Sequence, residues 1–168
     1  MLITERLLLR RLTMEDLPAV HGILGDPEVM YAWEHGFSLE ESREFLANAM
    51  RRYEQGLGHL AVERLTDGTL VGLAGLLLEN MPGGQKLGIG WIFHKAHWGM
   101  GYATEAARAL LCHAFGRMNA DEVIADIRPE NIASCRLAER LGMKAEYEII
   151  KHYRGKDMPH TVYVVRKA

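Results

Sequence analysis

Two hydrophobic patterns alternate along the 168-residue chain, and together they predict an α/β domain. Apolar residues three or four positions apart predict helices at residues 17–24, 38–53, 103–114 and 132–141. Short alternating or continuous apolar runs predict strands at residues 3–12, 59–65, 69–78, 89–93, 122–127, 144–152 and 161–165. This order predicts a mixed, mostly antiparallel sheet flanked by helices, with one right-handed crossover through the third helix.

Residues at the ends of these segments support the boundaries. Thr13 and Ser38 are expected to cap the first two helices, and Asp16 is the acidic partner of Thr13. Gly56 and Gly58 are expected to end the second helix, and Gly142 the last one. Turns are predicted at residues 67–68, 81–84 and 154–157. Gly88 and Gly90, which interrupt the strand at 89–93, indicate a bulge or a close backbone approach.

Composition narrows the class of protein. The length predicts a single domain over residues 1–168, and 48% hydrophobic with 25% charged residues is typical of a soluble globule. A net charge of −2 gives no reason to expect nucleic acid or an anionic membrane as partner. The charged N-terminal segment does not resemble a signal peptide. Cys112 and Cys135 fall in predicted helices and are interpreted as packing residues in a reducing compartment, which predicts a cytoplasmic location.

The strand, glycine loop and helix between residues 86 and 115 form a candidate anion site. A helix N-terminus offers unpaired amides and a partial positive charge. Gly99 and Gly101 precede the third helix, so the backbone can approach a phosphate closely, and Thr104 adds a hydroxyl. A plain tight turn is the alternative interpretation. Neither a triphosphatase loop nor a dinucleotide-binding fingerprint is present, because the lysine of the first and the glycine spacing of the second are missing.

A second candidate group follows the strand after the crossover. Asn131 is expected at the carboxyl end of that strand, beside the glycine loop, where α/β sheets usually bind ligands. The alternative is that Asn131 only caps the helix that starts after it. Ser134 is one turn further on and is a second candidate for this site. The alternative is that its hydroxyl only satisfies a backbone donor in that turn.

Three segments resemble the GCN5-related N-acetyltransferase (GNAT) superfamily, in particular its branch of ribosomal-protein N-terminal acetyltransferases (RimJ/RimL-like). They are TERLLLRRLTMEDLPAV…DPEVMYAW, GIGWIF…HWGMGYATEA and ENIASCRLAERLGM, and the resemblance extends from residue 4 to residue 165. It implies an α/β fold with a central sheet splayed between two parallel strands. It also implies acetyl-coenzyme A (acetyl-CoA) as co-substrate, and transfer of the acetyl group to an amine.

The resemblance also assigns residues to the cofactor. The backbone amides that would hold the pyrophosphate belong to Gly99, Met100, Gly101, Tyr102, Ala103 and Thr104. The strand edge at Trp91, Ile92 and Phe93 would pair with the pantetheine arm, and Asn131 would contact the same arm.

The chain departs from the family pattern at three positions. Ala96 replaces a frequent Gln or Arg before the loop, and Ala138 replaces the tyrosine that many members use as general acid. The ribosomal branch has a serine at the position of Ser134, which is therefore the candidate catalytic proton donor. Gly88 stands where that branch commonly has a glutamate, so no general base is identified.

Amine chemistry favours one class of acceptor. At pH 7 an α-amino group with a pKa near 8 is neutral roughly a tenth of the time, whereas a lysine is neutral only about four times in ten thousand. Without an evident base, a peptide or protein N-terminus is the easier acceptor. Tyr31 and Trp33, in an aromatic segment between two helices, are the candidate acceptor-binding residues, with simple packing as the alternative. His94 and His97 lack further ligands nearby, so no metal is expected.

The sequence therefore predicts an acetyl-CoA-dependent N-acetyltransferase that acts on a peptide or protein N-terminal α-amine. Acetylation of a small amine (a polyamine, an amino acid or an aminoglycoside) is the alternative within enzymes. A non-catalytic acyl-CoA-binding module is the alternative outside them. A homodimer is left open.

Overall fold

The computed structural model describes all 168 residues and consists of one eight-stranded sheet with four helices. The strands are β1 (Leu2–Ile3), β2 (Leu7–Arg10), β3 (Gly58–Arg64), β4 (Leu70–Met81), β5 (Gly84–Phe93), β6 (Glu122–Ile127), β7 (Lys144–Tyr153) and β8 (Lys156–Arg166). The helices are α1 (Leu17–Leu24), α2 (Leu39–Arg52), α3 (Tyr102–Gly116) and α4 (Ile132–Arg140). None of them is both long and apolar enough to cross a membrane.

The sheet has one parallel contact, and that contact shapes the site. The strand order is β1-β2-β3-β4-β5-β6-β8-β7, and every neighbouring pair is antiparallel except β5 and β6. These two strands pair only where Gly88 lies opposite Ile124. From Ile89 to Phe93 the edge of β5 that faces β6 has no strand partner, so the sheet is splayed there. The predicted fold class is confirmed.

Helices cover the two faces of the sheet unequally. On one face α3 packs against strand residues such as Leu76 and Ile89. On the other face α1 and α2 pack against Leu73 and Ile92 of β4 and β5. Further along that second face the core reduces to a small cluster of Met81, Ile124, Val162 and Val164, contributed by β4, β6 and β8. The space left between these two clusters is a cavity, described below.

The predicted caps are present. Ser38 Oγ accepts the Glu41 N–H at 3.1 Å, and the Glu41 carboxylate accepts the Ser38 N–H at 3.0 Å, which forms a capping box. The Asp16 carboxylate accepts the Thr13 N–H at 2.8 Å. Gly56 follows the second helical segment with a φ of 73°, and Gly142 follows α4 with a φ of 83°, so both adopt the left-handed conformation that ends helices.

Three predicted strands were wrong in their extent, and one of them is β5, which begins at Gly84 and not at residue 89. Residues 3–12 are not one strand but the hairpin of β1 and β2, because the Thr4 N–H donates to the Leu7 carbonyl at 2.9 Å and closes a turn. β8 begins at Lys156, so the last turn contains only Arg154 and Gly155, both with positive φ, as two-residue hairpins require. The pairing of β4 with β5 is regular past Gly88 and Gly90, so there is no bulge at these glycines. Side chains from neighbouring strands lie over them instead.

Candidate active site

Two hollows open on opposite faces of the splayed sheet. The large cleft, about 1140 Å³, lies between β5, α3, α4 and the turn that joins β1 to β2. The small cavity, about 390 Å³, lies between β3–β6 and the β7–β8 hairpin. The residues that line both are Trp33, Trp91, Ile92, Asn131 and Ser134. The two hollows therefore meet at the splay.

Nearly all of the predicted site residues come together in the large cleft. Its walls include Tyr31, Trp33, Trp91, Ile92, Phe93, Gly99, Gly101, Tyr102, Ala103, Thr104, Asn131 and Ser134. Met100 is the exception: its side chain is 49% exposed and is not part of the cleft wall. Its carbonyl accepts a hydrogen bond from Arg6 Nη1 at 2.9 Å, which fixes the loop from outside.

The glycine loop has the geometry that an anion site needs. Gly99 and Gly101 have φ values of 77° and 80°, which L side chains rarely adopt. A β-carbon on Gly99 would meet no atom within 4 Å, so the space above it is open. Gly101 is the N-cap of α3 and offers no side chain to the first-turn amides, which remain free for a ligand. The Trp98 indole N–H donates to the Phe93 carbonyl at 2.9 Å and holds the loop against the end of β5.

Arg6 is a site residue that the sequence interpretation missed. Its guanidinium lies 4.7 Å from the centre of the Tyr102 ring, and its Nε donates to Glu105 at 2.7 Å. Glu105 also accepts hydrogen bonds from Thr4 Oγ1 and the Arg6 N–H, at 2.6 and 2.8 Å. Although burial opposes it, these hydrogen bonds hold the pKa of Glu105 below its ordinary value. The first turn of the chain is thereby tied to the start of α3, about a hundred residues later.

Positive charge predominates along the large cleft. Arg6, Arg108 and Arg140 are on its walls, against the carboxylates of Glu5 and Glu105. Arg6 and Glu105 form an ion pair, so Arg108 and Arg140 are the surplus cations against Glu5. With the free amides of α3, the guanidinium groups favour a ligand that carries several negative charges.

Ser134 lies where the two hollows meet, and Trp91 holds its hydroxyl oxygen. The Trp91 indole N–H donates to Ser134 Oγ at 3.1 Å, so the hydroxyl hydrogen of Ser134 is free to point elsewhere. Asn131 Oδ1 accepts the Ser134 backbone N–H at 3.2 Å, which is the N-cap role considered for Asn131. The side-chain NH₂ of Asn131 has no protein partner and faces the junction of the two hollows.

The aromatic segment lies at the mouth of the site. Tyr31 and Trp33 belong to a short 3-10 turn, and Trp33 contacts both hollows. Arg128 Nη1 donates to the Ala32 carbonyl at 3.0 Å, and Glu34 pairs with Lys156 at 2.9 Å. The segment is therefore held between the end of β6 and the β7–β8 hairpin.

The small cavity contains ionisable side chains. His59 from β3, Glu79 from β4, Asp126 from β6 and Lys151 from β7 all line it. Burial lowers the pKa of His59 to about 4, so its ring is neutral near pH 7. Burial also raises the pKa of Glu79, and the charge of Asp126 adds to this effect. None of these residues was predicted from the sequence as a site residue, although Gly88 in place of the expected glutamate indicates that another residue would have to supply a carboxylate.

The two cysteines and His94 lie outside the small cavity. Cys135 packs against the main core, as predicted, but Cys112 is exposed on the wall of the large cleft and is not a packing residue. His94 Nδ1 accepts the Ala96 N–H at 3.0 Å and so caps a short turn. No three His, Cys, Asp or Glu side chains are grouped as metal ligands, and the expectation of no metal remains a prediction.

Comparison with known proteins identifies relatives of this chain and of its fold. The family model described as "Acetyltransferase (GNAT) domain" matches residues 6–144. YkkB of Bacillus subtilis (strain 168) is 35% identical over 146 residues, which is 84% of each chain. The uncharacterized N-acetyltransferase YnaD of the same organism is 32% identical, over 85% of this chain and 82% of its own.

Solved structures agree. A GNAT-family acetyltransferase from Bacillus anthracis superposes with a TM-score of 0.84 at 30% identity, over 98% of this chain and 96% of its own. Two more distant structures share the fold alone. They are the ribosomal L7/L12 α-N-protein acetyltransferase RimL in complex with coenzyme A (TM-score 0.76, 18% identity) and the spermidine N-acetyltransferase SpeG of Vibrio cholerae (0.73, 22%). The superpositions include at least 97% of this chain and at least 95% of each of the two structures.

Proposed function

The chain belongs to the GNAT acetyltransferase family and is an N-acetyltransferase, and on that premise we propose that it transfers an acetyl group from acetyl-CoA directly to the α-amine of a peptide or protein N-terminus. The observation that carries the proposal is the junction of two hollows from opposite faces of the sheet at Trp91 and Ser134. One hollow fits a polyanionic cofactor, and the other gives an amine access from the opposite side.

The residues of the large cleft fit acetyl-CoA. The open space above Gly99 and the uncapped amides of α3 suit a pyrophosphate, and Arg6, Arg108 and Arg140 add cationic groups for the cofactor phosphates. The unpaired edge of β5 from Trp91 to Phe93 suits the amides of the pantetheine arm. When bound, the cofactor supplies an acyl thioester.

The chain's own groups have three tasks in this reaction. The first is to orient the cofactor so that its acyl end lies at the splay, near Trp91 and Asn131. The second is to supply a proton to the departing thiolate, for which the Ser134 hydroxyl is available because the Trp91 indole occupies its oxygen and not its hydrogen. The third is to deliver an uncharged amine from the small cavity. No covalent acyl-enzyme is required, since the amine is itself the nucleophile.

A small cationic amine is the second candidate acceptor. The small cavity is only about 390 Å³ and contains two carboxylates, Glu79 and Asp126, which would attract a free ammonium group as well as an N-terminal one. The two distant structural neighbours differ in the same respect, since one is described as acting on a ribosomal protein and the other on spermidine. The preference for an N-terminus rests on its lower pKa.

A comparison of acceptors tests the proposal. Release of free thiol from acetyl-CoA is followed with short peptides that carry free N-termini, with the same peptides N-terminally blocked, and with polyamines, amino acids and aminoglycosides. We expect turnover with free N-termini and none with blocked peptides. Faster turnover with a free small amine would favour the second candidate, and cofactor binding without thiol release for any amine would indicate a non-catalytic acyl-CoA-binding module.

A further inference from the structure

The closed end of the small cavity carries a negative charge that the protein does not neutralise. The Lys151 ammonium contacts the Asp126 carboxylate and lies 3.9 Å from Glu79 Oε2. Two carboxylates therefore share one ammonium. The other cation on the cavity wall, Arg128, is already paired with Glu34 and Glu130. Among the side chains that line the cavity one negative charge remains, and a cation bound in the cavity would balance it. Arg52 of α2 also stabilises the Glu79 charge, but it lies outside the cavity wall.

Glu79 is the carboxylate with the fewest partners. No protein group donates a hydrogen bond to it, and its nearest cation is the shared Lys151 ammonium at 3.9 Å. Its side chain fills the space that a side chain at position 88 would otherwise occupy, since a β-carbon on Gly88 would lie 2.7 Å from Glu79 Cγ. Gly88 is also the residue at which β5 meets β6, so Glu79 lies where the splay closes.

A second observation in the same cavity concerns His59. Its side chain is only 8% exposed and lines the cavity, and no protein group forms a hydrogen bond with its ring, whose nitrogens are not sealed within the core. Its ring packs against Phe45 at 4.8 Å and lies over Gly90, with Nε2 3.3 Å from the position of a β-carbon there. Because polar groups with little exposure are normally hydrogen-bonded, the imidazole is available to a molecule in the cavity, whether water or a bound amine.

Resting on the proposed function, we propose that the small cavity binds the acceptor as a primary ammonium ion, that Glu79 accepts its proton, and that His59 orients the resulting amine. The ligand class is thus a primary ammonium cation, N-terminal or aliphatic. Gly90 and Trp91 adjoin each other in β5, so His59 is next to the junction of the two hollows. Gly88 and Trp91 are about 10 Å apart along the strand, so the proton reaches Glu79 through water in the cavity.

The proton balance is complete without another reactant. The ammonium ion gives one proton through water to the Glu79 carboxylate, which later releases it to solvent. The neutral nitrogen forms a bond to the acyl carbon, and the carbon–sulfur bond breaks. The departing sulfur takes the Ser134 proton, and the second proton lost by the nitrogen restores the Ser134 hydroxyl. The sum is an amide, a free thiol and one proton released.

Several charged or titratable groups face Glu79 from the elements around it. They are Asp126 of β6, Lys151 of β7, His160 of β8, His59 of β3, Lys86 of β5 and Arg52 of α2. Lys86 is paired with Glu122 at 2.6 Å, so it does not neutralise Glu79.

The test compares Glu79→Gln with a matched control, Glu148→Gln. Glu148 is exposed on β7 and has no ion pair, so its change removes the same charge outside the cavity. Thiol release is measured from pH 6 to pH 10 with two acceptors, a peptide α-amine of pKa near 8 and an aliphatic amine of pKa near 10.4. At pH 7, kcat/KM of Glu79→Gln should fall by about 10²-fold or more, and that of Glu148→Gln should not change.

The dependence on pH and on the amine identifies the role. Without its base, Glu79→Gln can use only amine that is already neutral. Its kcat/KM should therefore rise about tenfold per pH unit up to the pKa of the acceptor, and the loss should be larger for the aliphatic amine. A loss that is equal at every pH and for both amines would overturn the proposal and leave Glu79 as a structural residue. Unchanged kcat/KM would overturn it as well.

Thermal stability gives a readout that does not need activity. A raised pKa of Glu79 means that the folded protein is most stable below the ordinary carboxyl pKa and loses stability as the pH rises through the raised value. The melting temperature of Glu79→Gln relative to the parent should therefore increase between pH 4 and pH 7.5, and a constant difference would contradict a half-buried, unbalanced carboxylate. Absence of thiol release from the parent protein with every amine would instead refute the proposed function.

Discussion

Substitution of Gly99 by alanine separates ligand contact from backbone strain. A β-carbon at this position meets no protein atom within 4 Å, so the methyl group would project into the open cleft without a clash. Because φ is 77°, the change should still cost about 1–2 kcal/mol of folding free energy. Gly56 is the matched control: its φ is 73°, a β-carbon there is equally free of contacts, and it is exposed outside the cleft.

The expected effect on cofactor binding follows from linkage. Acetyl-CoA at a hundred times its dissociation constant should stabilise the parent by about 2.7 kcal/mol. For a domain of this size that is a rise in melting temperature of roughly 5–11 °C. If the methyl group weakens binding about a hundredfold, the remaining stabilisation is about 0.4 kcal/mol, or roughly 1–2 °C.

The assay is thermal unfolding of the parent, Gly99→Ala and Gly56→Ala, each with and without acetyl-CoA. Both variants should melt earlier than the parent without ligand, by similar amounts. Only Gly99→Ala should lose the shift produced by the cofactor. A full shift in Gly99→Ala would refute the assignment of the loop as the pyrophosphate site, and an equal loss in Gly56→Ala would show that strain alone explains the result.

Four further predictions concern single side chains. Ser134→Ala should lower kcat by about 10²-fold and lose less with an acyl donor whose thiol is more acidic; an equal loss with both donors would indicate positioning. Asn131→Ala should cost about 1 kcal/mol of stability as a lost helix cap and also weaken cofactor affinity in calorimetry, whereas unchanged affinity would leave the cap as its only role. Arg6→Gln should weaken acetyl-CoA binding, and more so at low salt; salt-independent weakening would place its effect in the packing of the loop. His59, whose pKa falls to about 4 on folding, should make the protein lose up to about 3 kcal/mol between pH 6.5 and pH 4, and His59→Phe should lack this slope in acid unfolding.

Much of the chemistry near the cofactor could be predicted from the chain alone, because it depends on neighbouring residues. The glycine loop and the start of α3 are consecutive, and only glycine readily takes the left-handed torsions seen at Gly99 and Gly101. Asn131 and Ser134 are one helical turn apart, so their capping contact is also local. The element order, with one crossover between two parallel strands, was sufficient for the fold class.

Segment ends were less predictable where a local turn competed with a hydrophobic pattern. The apolar alternation of residues 3–12 is continuous, yet the hydrogen bond of Thr4 to Leu7 folds it into a hairpin. The same hairpin turns Arg6 towards the glycine loop. The hydrophobic pattern could not predict this arrangement, because Arg6 and Glu105 come into contact only when the strands and α3 have packed together.

The acceptor side of the site was determined by tertiary structure alone. His59, Glu79, Asp126 and Lys151 come from four different strands, and nothing in their spacing along the chain relates them. They meet because strand register puts them on one face, because Gly88 and Gly90 leave that face open, and because β5 and β6 separate after a single contact. Sequence by itself therefore determined the fold class and the local cofactor loop, since torsional preference and periodicity act over a few residues. Only the folded sheet decided which charges share the second cavity, since that depends on long-range register and on the direction in which each side chain points.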